Sequence, residues 1–459
     1  MNSKKLAQPG FSSRGAIDLQ LIGEVAIALL LIVFVVLPWP VGMKAEAIFR
    51  QRIADLHERA QTSGYDVEIK SYDRGWFGAD TVTTVDYHGH SVALVSRIMH
   101  GPFVLSGENA SMRPVAAVIS TNIELPPELK SALSNVSTAS SEPAADIRAI
   151  IKFSGIIDVH AHVAPFTLHI GPGLPAVNSS GAMMDLLVSN NYLRGAGTLD
   201  EVKIETDGGT ANFGKTEFET DSARDESGLW LGTTEIKNPE ISSAQTINVP
   251  NRGSFPLNFD LHDVQITTRA WREGATIQSD HKLSIARAQG FAGIALAINA
   301  SVGFANLDPD VLVGWSNDVR ETMATVNNRD QQMHMMADRA LALLVALSKN
   351  DPRVTANINV TGDFNASGNI DITLKSAMAS DSSLAQAPAT QENWTRIALN
   401  YLTGSGDVKL PATLTPFLAD PMTKANLVDE GFFAVQGDSV VSSANYADGH
   451  LSVRGRQIF

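Results

Sequence analysis

The chain contains no cysteine. Disulfides, thiolate nucleophiles and cysteine-ligated zinc are therefore excluded, and any metal would have to be held by histidine and carboxylate. Basic residues are also few, since 35 Lys and Arg stand against 49 Asp and Glu and leave a net charge of −14. Nucleic-acid partners drop out, because phosphate backbones are bound by clustered Lys and Arg. There is no phosphate loop, dinucleotide fingerprint or nucleophile elbow, which removes the commonest nucleotide and acyl-transfer chemistries. What remains is a chain of 459 residues, 44% of them apolar and only 18% charged. That is the composition of a folded protein rich in small side chains, long enough for several cores or one extended β-structure.

The strongest single signal is the run Leu19–Leu37, LQLIGEVAIALLLIVFVVL. As a helix it measures roughly 28 Å, close to the hydrocarbon thickness of a bilayer. Glu24 interrupts it near the entry end, where a carboxylate reaches the headgroups, and Pro38, Trp39 and Pro40 mark the other interface. A signal peptide cleaved at Ala45-Glu46-Ala47 is the competing reading; the length of the run and the distance to that site favour a retained anchor. With residues 1–18 as a cytoplasmic tail, the rest of the chain lies in the periplasm of a bacterial inner membrane, single pass.

Ala45, Phe49, Ile53, Leu56 and Ala60 recur at helical spacing, which predicts a juxtamembrane amphipathic helix over 38–63 whose apolar stripe rests on the following domain. From residue 64 to 459 the period changes to two. Val67, Ile69 and Ser71, then Val85 and Tyr87, predict a hairpin; further strands are expected at Ile150–Ile170, Glu201–Thr206, Asn212–Thr220, Phe255–Arg269, Ile294–Val302 and Ile358–Leu374. Within Phe255–Thr268 the apolar parity flips, so a bulge or turn is expected at His262-Asp263. Asp338–Lys349 and Pro416–Val428 read as helices, Ser131–Ala145 and Ala377–Gln391 as linkers, and Asp448-Gly449 as a hairpin turn. The fold class is thus β-rich α+β: one transmembrane helix, then a large, mainly antiparallel β domain with a few covering helices.

Several short stretches resemble a known family. Pro40-Val41-Gly42 before a helix, Tyr72-Asp73-Arg74-Gly75-Trp76-Phe77, His100-Gly101-Pro102-Phe103 and the stretch from Gly431-Phe432-Phe433 to Asp448-Gly449 resemble the YdgA-like family of bacterial envelope proteins. The resemblance runs almost end to end and implies an inner-membrane, periplasm-facing protein of no established activity. In that family the closing strand often carries Asn-Gly where Arg454-Gly455 stands here. Physically, Arg74-Gly75 and Gly101-Pro102 supply turn geometry, while Tyr72, Trp76 and Phe77 supply aromatic contacts that fix a hairpin to its neighbour. A structural role for these residues is therefore favoured over ligand binding.

One local motif points to chemistry. Phe153 to Val163 looks like the first-strand metal motif of amidohydrolases, with His160 and His162 on one face of a strand. The alternating helices of a (β/α)₈ barrel and the later ligands do not follow. No catalytic residue, cofactor or metal is therefore expected, and His160 and His162 are read as polar side chains on the wet face of a strand. Three functional readings stand. The first is a non-catalytic envelope protein acting through contacts with itself, with another protein or with the cell wall. The second is a binder or carrier of lipid or another apolar ligand, for which an open apolar groove would be the sign. The third, a metal hydrolase, rests on the two histidines alone.

Overall fold

The computed structural model describes residues 38–458 apart from short breaks, the longest being 125–136 and 413–427. The expected membrane span 19–37, nearly all of Pro416–Val428, most of 131–145, and Pro102 lie outside the described residues. Among the described residues no helix is long and apolar enough to cross a membrane.

The first described element is helix α1 (Pro38–Gln61), after which the chain is β-rich, with most of the described strands in one 25-stranded sheet. Its main run begins with β1 (Tyr65–Arg74), β2 (Gly78–Tyr87), β3 (His90–His100), β4 (Ala117–Glu124), β5 (Ala145–Ile151) and β6 (Ile157–Val163). It continues through β7 (Ala182–Val188), β8 (Tyr192–Leu199), β9 (Thr216–Arg224), β10 (Trp230–Val249), β11 (Gly253–Glu273), β12 (Thr276–Gln289) and β13 (Ala295–Leu307). Helices α2 (Pro309–Thr325) and α3 (Arg329–Leu347) intervene, followed by β14 (Arg353–Gly362) and β15 (Ala366–Leu374). After α4 (Gln391–Tyr401) the sheet closes with β16 (Leu402–Pro411), β17 (Ser439–Ala447), β18 (His450–Val453) and β19 (Arg456–Gln457). Each of these strands is antiparallel to the one before it. A side ribbon ending in Gly209–Phe213 joins the second half of β10, so the sheet forks there.

The expected β segments all carry strands, often as two where one was read. Ile358–Leu374 is the hairpin β14–β15, and Asn212–Thr220 divides between the side ribbon and β9. At the position where the apolar parity changes, Asp263 takes φ +52°. No residue is inserted, since Val264 stays opposite Asn238 and His262 opposite Glu240. A left-handed residue opposite Pro239, which has no N–H to donate, turns the strand while keeping its register. The turn at Asp448-Gly449 has both residues at positive φ, and so does Arg454-Gly455. Arg454 therefore fills a turn position that asparagine favours, at the cost of holding a Cβ in the left-handed region.

Three helical features depart from the sequence reading. α3 begins nine residues earlier than Asp338, at Arg329, and α2 and α4 had no counterpart in it. The stretch Ala377–Gln391, read as a linker, is a run of short turns that carries Met378 and Leu384 into full burial. These two side chains join Leu341 and Val345 of α3, Ile397 of α4 and Leu374 of β15 in one core cluster. Met378 and Leu384 are isolated large apolar residues among Ala, Ser and Asp and set up no repeating pattern, which is why composition alone suggested a linker.

Candidate functional site

Helix α1 lies along β1, running in the opposite direction. Near its start, Gly42 meets the ring of His100 at the end of β3. One turn on, Glu46 accepts hydrogen bonds from Arg50 and from Arg74 at the end of β1, each at 3.0 Å. Phe49 packs against Tyr72 with ring centroids 5.8 Å apart and the planes tilted by 47°, and the Arg50 guanidinium stands 5.1 Å from the same ring. Burial, and then the charge of Glu46, push the Tyr72 hydroxyl above its ordinary pKa. Toward the far end His57 Nδ1 donates to the carbonyl of Val67 at 3.0 Å. The family-like residues Gly42, Tyr72, Arg74 and His100 are thus brought together as the seam between helix and sheet. Gly75, whose N–H donates to Gly78, closes the β1–β2 turn, and Phe77 accepts from the N–H of His100. Gly101 takes φ +145° just beyond. Trp76 and Phe77 do not join the seam's core: they stand at the hairpin tip, 45% and 57% exposed.

The register of the sheet sorts side chains onto two faces, because successive residues of a strand point oppositely and paired residues point together. Starting on β5, Ile147 lies opposite Ala161, which lies opposite Met184, Gly197 and Phe218 in turn. The row continues through Ile236, Ile266, Leu283, Ala300, Ile358, Gly368 and Val408. Every strand from β5 to β16 contributes an apolar residue or glycine, a row about 53 Å long at about 4.8 Å per strand. Gly197 is needed in it, since a Cβ there would stand 2.3 Å from the Phe218 ring. One residue along each strand, the opposite face reads Arg148, His160, Asp185, Ala196, Glu219 and Glu235. It continues with Thr267, Lys282, Ser301, Asn357, Asn369 and Asp407. From β6 to β16 one face carries a continuous apolar band and the other a polar row, while over β3–β5 the second face is apolar too, where Met99, Val118 and Ile150 pack against Val104 and Val115.

Among the described residues the apolar band is covered at two places. α1 lies on it over β1–β3, where Ala79, Ile98 and Ala117 are buried. The α3–α4 cluster lies on it over Leu374 and Leu402. Between and beyond these, Ile236, Ile266, Val302, Ile358 and Ile370 remain 38–52% exposed, far more than a filled core allows. α1 also touches α2, the helix that follows β13. Laid flat, β2 and β13 would be roughly 53 Å apart, and α2 is only about 26 Å long. The sheet therefore rolls toward the face that carries α1, making the apolar band the inside of an open trough.

His160 and His162 lie on the polar side. His160 Nδ1 donates to Asp185 at 2.5 Å, and its Nε2 is 3.4 Å from Asp158, while His162 is paired with Asp146 and Met183. Among the described residues no group of three or more His, Asp or Glu is placed to hold a metal. A shallow concavity of about 650 Å³ on the polar side is lined by Asn357, Asn359, Asn369, Asp407 and Lys409. Its lining combines these amides with the charged side chains of Asp407, Lys409 and Arg454.

A long antiparallel sheet rolled around an apolar trough, covered in part by a few helices and seamed to the helix that precedes it, is the class of protein that these observations define. A family model described as bacterial protein of unknown function, DUF945, matches residues 20–458, and the chain belongs to that family. No curated protein matches it.

Proposed function

We propose that the chain is a bacterial inner-membrane protein of the YdgA-like kind. Leu19–Leu37 tethers it, the sheet stands in the periplasm, and the trough binds acyl chains of lipid or a ligand of the same apolar character. The observation that carries this reading is the uncovered row from Ile236 to Val408. Leaving several isoleucines half exposed is unfavourable by about 25 cal/mol per Å² of apolar surface, a cost that a bound chain would remove. An acyl chain reaches about 15 Å, half of a hydrocarbon core of about 30 Å, so the trough is long enough to seat more than one. The polar outer face, rich in Asn, Ser and Thr, suits water. Non-catalytic contact with a protein or the cell wall is the alternative, and it places the partner on the same open face.

Native mass spectrometry of the full chain released from detergent tests the reading. Wild type should retain lipid adducts, Ile266→Asp/Ile358→Asp should lose them, and Asn357→Asp, on the polar face, should keep them. Each isoleucine contact is worth about 1.4 kcal/mol, or tenfold in affinity. Adducts that survive the double change would remove the trough as the binding site.

A further inference from the structure

The turns at one edge of the sheet follow from the strand directions. α1 runs antiparallel to β1, so the β1–β2 tip lies beside the start of α1, next to Gly42 and His100. Gly42 is five residues past Leu37, about 7.5 Å along a helix. Because every strand reverses the one before it, the β5–β6 turn falls at the same edge as the β1–β2 turn. That turn is closed by hydrogen bonds from Gly155 to Lys152 and from Lys152 to Ile156, and it presents Phe153 at 58% exposure. Phe77 is 57% exposed and Trp76 45%. The β14–β15 turn, at the opposite edge, instead presents Asp363 and Asn365. Trp76, Phe77 and Phe153 therefore share the edge where the membrane span would end, while Tyr65, 40% exposed, begins β1 at the other edge.

We infer that the tips carrying Trp76, Phe77 and Phe153 enter the headgroup region of the membrane that holds the anchor, giving the sheet a second contact with lipid beside its tether. This rests on the reading of Leu19–Leu37 as a membrane span. Trp and Phe gain by leaving water for the interface, where amphipathic rings are enriched. Lys152, beside Phe153, is paired with Asp158 at 3.7 Å, so the rings rather than this ammonium carry the contact. The tips lie four strands apart, about 19 Å, so with the tether they fix the tilt of the trough and set its edge against the bilayer. In that posture the open trough faces a lipid source directly.

The absence of native cysteine makes the test clean. Phe77→Cys, Phe153→Cys and, as a reference at the far edge, Asn365→Cys are each labelled with an environment-sensitive fluorophore in the full chain, reconstituted in phosphatidylethanolamine–phosphatidylglycerol vesicles. Carbonate extraction is carried out on the same vesicles. The inference expects a chain that resists extraction, with the labels at 77 and 153 quenched by lipid-borne nitroxide and shielded from aqueous iodide, and the label at 365 the reverse. Resistance to extraction with labels at 77 and 153 open to iodide would overturn the inference and leave the anchor intact. Release by carbonate would overturn both.

Discussion

Gly42 approaches the buried His100 so closely that a Cβ on residue 42 would stand 2.3 Å from the imidazole Cε1. The ring is 3% exposed and has little room to swing aside. Alanine at 42 would gain about 1 kcal/mol of helix propensity but must displace the ring, and such overpacking costs about 1–3 kcal/mol. Gly42→Ala is therefore expected to lower the unfolding free energy by about 1 kcal/mol in thermal or urea denaturation. His100→Ala in the same chain should relieve part of that loss, and additive effects of the two changes would show that the contact is not tight.

The β9–β10 turn is tied to β11 through Asp225. Burial favours the neutral form of this carboxyl, but Ser227, Arg272 and the N–H of Leu229 all donate to it and hold its pKa below the ordinary value of 3.8. A group lowered on folding contributes stability above its unfolded pKa and loses it as pH falls through the folded value. Asp225→Asn should cost about 2 kcal/mol at pH 7, typical of hydrogen bonds to a charged group. The gap between the two proteins should close as pH falls below about 4. A gap unchanged at pH 3 would mean that the charge is not what stabilises the turn.

His160→Ala/His162→Ala should change stability by no more than about half a kcal/mol per site, because both lie on the exposed polar face. Elemental analysis is expected to find no stoichiometric zinc, manganese or iron in either protein. About one metal per chain, lost in the double variant, would revive the hydrolase reading.

Much of the fold could be read in the chain because strands with one wet face write their period directly. Ile358, Val360, Ile370 and Ile372 share a parity and share a face. The Asp448-Gly449 turn was equally legible. What could not be read was long-range register: Ile236, Ile266 and Ile358 each look like ordinary half-buried strand residues, and only their alignment reveals a continuous band. The seam of Gly42 and His100 joins residues 58 positions apart, and no local pattern announces it. The missed helices did leave signals. Asp308 accepts from the N–H groups of Asp310 and Val311 just before Pro309, and Thr390 accepts from the N–H of Asn393. Both are cap residues at helix starts, and the first is followed by proline at the first helical position.

Ile266 and Thr267 are adjacent in β11 and point to opposite sides of the sheet. A photoreactive benzoylphenylalanine placed at each position in turn, irradiated in intact cells, and followed by mass analysis of the recovered chain, compares trough and outer face directly. Binding of acyl chains predicts lipid adducts at position 266 and few or none at 267. Equal labelling at both positions, or a protein adduct at 266 without lipid, would contradict it.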